Sequence, residues 1–199
     1  MTKMVKSDFF KNLKVVDLIF EVVDARCPYT SRSPQVQSLI KGKDSILILN
    51  KADLADPQVT RNWVEFFADR GEEALPVNTL LREGYGAVKK ILALKAADLN
   101  KALKEKGRLK RDLRVAVLGI PNTGKSSFLN ALLGKRAVKS GDRPGVTRGP
   151  QWVHLHGRIS VLDTPGLLFP QLKDEDTIFR LAFTRAIDPD QQDMIHLSE

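Results

Sequence analysis

Short apolar runs rich in β-branched residues alternate along the chain with segments whose apolar residues recur at helical spacing. The runs predict buried strands, and the segments predict helices that cover a sheet. Their alternation predicts an α/β fold of three layers with a mostly parallel sheet. We predict strands, or strands that run into loops, at residues 15–23, 45–49, 74–79, 114–118, 151–156 and 158–162. We predict helices at residues 3–14, 34–41, 57–70, 84–106, 127–133 and 174–187.

The strand at residues 114–118 leads directly into residues 119–126, which fit the phosphate-binding pattern G-x-x-x-x-G-K-[ST]. A helix follows, and strand, glycine loop and helix together are the context that this motif requires. Lys125 would supply a cation to the β- and γ-phosphates, and the Ser126 hydroxyl would bind Mg²⁺. The alternative, a Gly-rich turn with a solvated lysine, is disfavoured by the flanking elements. The residues predicted to surround the phosphates are Pro121, Asn122, Thr123, Gly124, Lys125, Ser126 and Ser127.

A second motif, N-K-x-D, ends the strand at residues 45–49 and consists of Asn50, Lys51 and Asp53. The Asp53 carboxylate can accept two hydrogen bonds from guanine, a fit that adenine does not offer. Asn50 would tie this loop to the phosphate loop, and the Lys51 stem would lie over the base. The alternative is a helix start with Asp53 near its cap.

Further candidate residues follow three other segments. Asn78 and Thr79 fall where GTPases place a loop against the base edge, which acts through backbone groups. Thr147, in a polar Gly-rich loop, would offer its hydroxyl to Mg²⁺ and its N–H to the γ-phosphate. In the D-x-x-G segment, Asp163 would hold the water shell of Mg²⁺, and the Gly166 N–H would sense the γ-phosphate. The predicted catalytic residues are Lys125, Thr147 and Gly166.

Asp24 and Arg26 lie in a loop with two prolines that follows the first strand. In an open parallel sheet, such a loop faces the ligand crevice, so both side chains could touch the nucleotide or a moving loop. An internal Asp–Arg pair that stiffens the loop is at least as well supported by the sequence.

The guanine-reading motif precedes the phosphate loop, which inverts the usual order of these motifs in GTPases. The same sheet can form if the old termini are joined, here by the helix and basic linker at residues 84–112. The arrangement resembles the circularly permuted P-loop GTPases, and within them the YlqF/RbgA-type ribosome-assembly GTPases. The resemblance covers nearly the whole chain and rests on residues 24–26, 50–53, 119–126, 141–147 and 163–167.

The resemblance implies GTP hydrolysis coupled to maturation of the large ribosomal subunit, with rRNA as a partner and Mg²⁺ as a cofactor. It also implies that Asn122 helps to hold K⁺, although an Asn at this position equally suits a tight turn. Leu167 stands where many GTPases carry the Gln that orients water, so a low intrinsic rate is expected. The alternative is a nucleotide-gated RNA- or ribosome-binding switch with negligible hydrolysis of its own.

We expect residues 1–187 to form the permuted domain and residues 188–199 to begin the helical C-terminal domain that the family carries. The family's upstream His segment would fall before Met1. A permuted GTPase of the small ribosomal subunit is a further alternative, but its types carry an OB-fold or a zinc-binding appendage. The lone cysteine and the short N-terminus argue against both appendages.

Composition adds little to the fold but bears on partners and location. The net charge of +8 and the pI of about 9.6 favour a polyanionic partner, although a solvated surface would also suit them. Cys27 is the only cysteine, which rules out an internal disulfide and favours a reducing compartment. There is no run of 18 apolar residues and no signal-peptide pattern. We therefore expect a cytoplasmic monomer without membrane or DNA partners.

Overall fold

Six strands form one sheet in the computed structural model, which describes residues 11–134, 151–155, 157–163 and 175–186. The strands are β1 (Leu18–Asp24), β2 (Asp44–Asn50), β3 (Glu73–Val77), β4 (Leu113–Leu118), β5 (Gln151–Leu155) and β6 (Ile159–Asp163). Their order across the sheet is β3-β2-β1-β4-β6-β5. All neighbours are parallel except β5, which forms an antiparallel hairpin with β6. The predicted mostly parallel sheet is therefore confirmed.

Helices cover both faces of this sheet and confirm the three-layer α/β fold. They are α1 (Pro34–Ile40), α2 (Pro57–Ala68), α3 (Tyr85–Glu105), α4 (Lys125–Leu133) and α5 (Glu175–Phe183). Side chains of β1 alternate between two apolar cores because successive residues of a strand point to opposite faces. Phe20 belongs to the core formed with α3 and α4 and makes an edge-to-face ring contact with Phe128, with centroids 5.8 Å apart. Ile19 and Val23 belong to the cores formed with α1 and α2.

Most predicted element boundaries shift by one or more residues in the structure, those of β1, α4 and α5 among them. β1 begins at Leu18 rather than at residue 15, because the Val15 and Val16 N–H groups bond back to a preceding helical turn at residues 11–14. The rest of the predicted helix at residues 3–14 lies outside the described residues. α4 begins at Lys125, two residues earlier than predicted, because Gly124 takes a left-handed conformation and caps the helix. α5 ends at Phe183, followed by a turn with Arg185 at a positive φ of 56°.

The segment between α3 and β4 is fixed beside the start of β1. Both Nη groups of Arg111 donate to the Asp17 carboxylate at 2.7 Å, and the Arg114 N–H donates to it at 2.9 Å. Burial alone would raise the pKa of Asp17, but these hydrogen bonds and charges outweigh it, so the pKa is lowered. This segment is thus held by Arg111, while Lys106 and Lys110 are exposed.

None of the helices in the described part of the chain is both long and apolar enough to cross a membrane. The longest, α3, carries several lysines along its 21 residues.

Asp17→Asn should lower the free energy of unfolding at pH 7 by about 1–2 kcal/mol, because it removes the charge from these hydrogen bonds. The loss should be smaller than for a fully buried hydrogen bond to a charged group, because Arg111 is partly exposed and water screens the pair. The folded-state pKa of Asp17 is depressed, so its stabilising effect is present above the unfolded pKa and is lost as pH falls through the folded pKa. The difference between wild type and variant should therefore shrink in acid, as measured by urea denaturation.

The matched control for this prediction is Asp44→Asn, which removes a more exposed carboxylate that is paired with Lys95. This variant should lose less than about 1 kcal/mol, as exposed ion pairs usually do. Equal losses in the two variants would contradict the role assigned to Asp17.

Candidate nucleotide-binding site

The carboxyl ends of five parallel strands meet at one edge of the sheet and bring the motif residues together. Asp24 ends β1, Asn50 ends β2, and Asn78 follows β3. The phosphate loop at residues 119–126 follows β4, and Asp163 ends β6. Ligands of open α/β sheets bind at this edge, in the crevice outside the strand ends.

The phosphate loop connects β4 to α4 through two glycines that no other residue could replace without strain. Gly119 has a φ of 148°, and a Cβ there would lie 2.3 Å from the Val22 carbonyl oxygen. Gly124 has a φ of 89°, and a Cβ there would lie 2.3 Å from Asn50 Nδ2. The glycines therefore allow the loop to pack closely against the ends of β1 and β2.

Lys125 is buried at the start of α4, and its ammonium donates to the Ile120 carbonyl oxygen at 2.6 Å. The Thr123 hydroxyl donates to the same oxygen at 3.0 Å. A cation and the first N–H groups of α4 thus lie at one loop, which is the arrangement that binds phosphates. Ser126 lies in the first turn of α4, and Ser127 beside it is exposed.

The predicted tie between the guanine-reading motif and the phosphate loop is present. Asn50 Nδ2 donates to the Thr123 carbonyl oxygen at 2.8 Å, across 73 residues of sequence. Lys51 has a left-handed φ of 61°, and its ammonium donates to the Asn122 carbonyl oxygen at 2.8 Å. The base-reading and phosphate-binding loops are therefore joined by two hydrogen bonds.

Asp53 lies in the first turn of a short helix, as the alternative interpretation of this residue expects, so its guanine-reading role remains a prediction. It lies, exposed, in a short 3₁₀ turn at residues 52–54, whose cap has no side-chain hydrogen bond. The cap of α2 is Asp56, whose carboxylate accepts from the N–H groups of Gln58 and Val59. Asp53 is thus exposed just after the carboxyl end of β2.

In the loop predicted to face the base edge, Thr79 bonds to Asn50, whereas Asn78 bonds within the loop itself. The Thr79 hydroxyl donates to Asn50 Oδ1 at 2.6 Å. Asn78 is buried, and its side-chain oxygen accepts from the N–H groups of Leu80 and Leu81. Asn78 therefore shapes the loop, in agreement with a loop that binds through its backbone.

Tyr85, which the sequence analysis did not single out, connects this loop to the helix of the phosphate loop. Its hydroxyl lies 3.1 Å from Thr79 Oγ1 and donates to the Phe128 carbonyl oxygen at 3.2 Å. Burial raises the pKa of Tyr85 to about 12. An aromatic residue at a helix start carries no sequence signal for such a role, because its partners lie in another part of the chain.

Asp24 and Arg26 form the internal pair that was one of two interpretations of their loop. Arg26 Nε and Nη2 donate to the two Asp24 carboxylate oxygens at 2.8 and 2.7 Å. Lys51 Nζ lies 2.9 Å from Asp24 Oδ2. Burial alone would raise the pKa of Asp24, but the hydrogen bonds of Arg26 and the charge of Lys51 outweigh it, so the pKa is lowered.

The remaining predicted site residues are located only in part. Pro121 is buried in the phosphate loop, and Asn122 has a positive φ of 57° and donates from Nδ2 to the Arg185 carbonyl oxygen at 3.0 Å. The backbone of Asp163 ends β6, opposite Val117 of β4. Thr147, Gly166 and Leu167 lie outside the described residues, so their predicted roles remain predictions.

Comparison with known proteins agrees with this geometry. Residues 114–197 match the family model described as "50S ribosome-binding GTPase". The crystal structure of GNP-bound YlqF from T. maritima superposes with a TM-score of 0.68 at 30% identity, covering 98% of this chain and 72% of that one. The chain belongs to the YlqF/RbgA family of P-loop GTPases. Family membership confirms the circularly permuted GTPase fold that the motif order predicted.

Two relatives named ribosome biogenesis GTPase A support the same assignment. The protein from Bacillus pumilus is 41% identical over 181 residues, which is 89% of this chain and 63% of that protein. The protein from Thermotoga maritima is 36% identical over 169 residues, which is 85% of this chain and 57% of that protein. The chain thus spans about three-fifths of the length of these YlqF/RbgA relatives.

Tyr85→Phe should lower the free energy of unfolding by about 1 kcal/mol, because it removes a buried hydroxyl that donates to the Phe128 carbonyl oxygen. Urea denaturation measures this change. The control is Tyr29→Phe, which alters an exposed ring and should stay within about 0.5 kcal/mol of wild type. A similar loss in both variants would contradict the bridge assigned to Tyr85.

Tyr29→Phe also isolates the titration of Tyr85, because the chain has two tyrosines. In this variant, tyrosinate absorbance should stay low through pH 10 and rise only toward the pKa of about 12. Ultraviolet titration of the folded protein checks this prediction. Half-ionisation near pH 10 would show that the hydroxyl is not buried.

Proposed function

We propose that the chain binds GTP and hydrolyses it to GDP and phosphate as a ribosome-assembly factor. The observation that carries this proposal is the pair of hydrogen bonds from Asn50 and Lys51 to the phosphate loop, at 2.8 Å each. They join a guanine-reading motif to a phosphate-binding loop in one crevice, as a guanine nucleotide requires. Asp53 reads guanine, and Lys125 with the N-terminus of α4 binds the phosphates.

Magnesium is the cofactor that the proposed site residues fit. The Ser126 hydroxyl lies in the first turn of α4, and Asp163 ends the strand next to β4. Hydroxyl and carboxylate oxygens are hard donors, which Mg²⁺ prefers together with phosphate oxygens and water, and Thr147 is the third donor that we propose. When bound, Mg²⁺ neutralises charge on the β- and γ-phosphates. Lys125 and the Gly166 N–H stabilise the same charge from the protein side.

Asn122 is the residue we propose for K⁺, because this loop position holds K⁺ in permuted GTPases. Its positive φ also supports the plainer role of a turn residue. A cation beside the β- and γ-phosphates would stabilise transition-state charge. GTP turnover should therefore be faster in KCl than in NaCl at equal ionic strength. Equal rates in the two salts would leave Asn122 with the turn role alone.

Asp53→Asn tests the guanine assignment. It should weaken GTP binding by about 10- to 100-fold, the range of a lost charge-assisted hydrogen bond, and should improve binding of xanthine nucleotides. Fluorescence competition with GTP, XTP and ATP measures both changes. Asp56→Asn is the matched control, since it alters a nearby carboxylate that caps α2 and should leave nucleotide preference unchanged. Unaltered GTP affinity in Asp53→Asn would count against the proposal.

The proposed partners are GTP and GDP, the large ribosomal subunit and its rRNA, for a cytoplasmic monomer. The names of the relatives and the net charge of +8 support a ribosomal, polyanionic partner. A second candidate is a nucleotide-gated RNA- or ribosome-binding switch with negligible hydrolysis, which Leu167 after D-x-x-G favours. Single-turnover GTP hydrolysis with and without large ribosomal subunits separates the two candidates. A rate that subunits raise supports the enzyme, and no turnover in either condition supports the switch.

A further inference from the structure

Asp24 is a buried carboxylate that holds two cations at the edge of the proposed nucleotide site. It ends β1 beside Asn50 of β2, and its side chain is 1% exposed. Oδ1 accepts from Arg26 Nε at 2.8 Å and from the Arg26 N–H at 3.1 Å. Oδ2 accepts from Arg26 Nη2 at 2.7 Å and lies 2.9 Å from Lys51 Nζ. Arg26 therefore holds both carboxylate oxygens, and Lys51 shares Oδ2 with it.

The Lys51 side chain is immobilised by this arrangement. Its ammonium is held between the Asp24 carboxylate and the Asn122 carbonyl oxygen, at 2.9 and 2.8 Å. A free lysine side chain has about 2 kcal/mol of rotamer entropy, which would be lost when a ligand immobilises it. In this site the rotamer entropy of Lys51 is already lost on folding, so nucleotide binding does not incur that cost again.

We propose that Asp24 is a positioning residue for guanine-nucleotide binding, because it holds the Lys51 ammonium against the phosphate loop before the nucleotide arrives. The inference rests on the proposed function and deepens it. Asp24 acts through Lys51 and does not itself contact the base. The loop at residues 24–26 thus serves nucleotide affinity, in addition to its own rigidity.

Arg26 completes the arrangement by joining it to the end of α5. Its Nη2 group also donates to the Thr184 carbonyl oxygen at 3.0 Å, and Asn122 Nδ2 donates to the next carbonyl, that of Arg185, at 3.0 Å. The turn after α5 is therefore hydrogen-bonded both to the loop of Asp24 and to the phosphate loop. Arg26 donates to both carboxylate oxygens of Asp24, and Lys51 contacts Oδ2, so the two cations share this carboxylate.

A double-mutant cycle tests the proposal through the dissociation rate and affinity of a fluorescent GDP analogue. Asp24→Asn and Lys51→Met should each weaken binding by about ten-fold, within the range of coupled neighbours. The double variant should bind no more weakly than Lys51→Met alone, because Asp24 acts through that lysine. Losses that multiply in the double variant would overturn the proposal.

Glu21→Gln is the matched control for a general loss of stability. Glu21 is also buried on β1 and is also paired with an arginine, Arg32, at 2.9 Å, but it lies in a separate cluster with Gln37 and Glu72. This variant should lose thermal stability yet keep GDP affinity within about two-fold, since only neighbours in contact couple. Equal loss of affinity in Glu21→Gln and Asp24→Asn would show that Asp24 acts through stability alone, and would overturn the proposal.

Lys51→Met keeps the inference testable if Asp24→Asn does not fold. This variant removes one cation from Asp24 and leaves Arg26 in place, so the Asp24 carboxyl should titrate at a higher pH than in wild type. Carbon-13 NMR of the carboxyl group measures the titration, and an unchanged titration would overturn the Asp24–Lys51 pair.

The same experiments separate this inference from the proposed function. Absence of GDP and GTP binding by the wild-type chain would overturn both. Wild-type binding with additive losses in the cycle would overturn the positioning role and leave guanine-nucleotide binding intact.

Discussion

The hydrogen bond from Asn50 Nδ2 to the Thr123 carbonyl oxygen holds together two halves of the chain that lie 73 residues apart. It sets the distance between the loop at the end of β2 and the loop at the end of β4. It also explains one glycine, because a Cβ at position 124 would collide with the Asn50 amide. The Thr79 hydroxyl donates to the oxygen of the same Asn50 amide and lies beside the Tyr85 hydroxyl, which donates to a carbonyl oxygen of α4. A nucleotide site built at strand ends depends on this rigid connection.

Circular permutation is tolerated because the order of strands in space does not depend on their order in sequence. β1 and β4 lie side by side at the centre, and each half of the chain adds its other strands outward from them. The joint between the halves is the long helix α3 and a short linker held by Asp17 and Arg111. A connection of this length costs little closure entropy, and its far end is fixed by the Asp17–Arg111 hydrogen bonds at the amino edge of the sheet. The joint therefore runs from the carboxyl edge, where α3 begins beside Thr79, to the amino edge, where β4 begins.

Charged side chains divide into two sets with different consequences. Glu21 and Arg32 form a buried cluster with Glu72 and Gln37 that ties the loop after β1 to the end of α2. Asp24, Arg26 and Lys51 form a second cluster at the nucleotide edge, where the cations outnumber the carboxylate. Lys125 and the first N–H groups of α4 lie together at the phosphate loop, which suits an anionic ligand. The cluster of Glu21 therefore bears on stability, whereas the cluster of Asp24 bears on the proposed nucleotide site.

The sequence by itself determined the elements, the motifs and the family. Apolar runs and helical periods are local, so the sequence predicts the strands and helices. The predicted boundaries are wrong where Val15 bonds back to a helical turn and where Gly124 accepts the first hydrogen bond of α4. The residues of the motifs follow strand ends, and parallel strands bring those ends together, which located Asn50 against the phosphate loop. Only the tertiary structure decided which side chains pair across the fold, such as Asp24 with Lys51 or Tyr85 with Thr79. Those pairs have no period and no fixed spacing, because the packing of the sheet and its helices sets the distance between their partners.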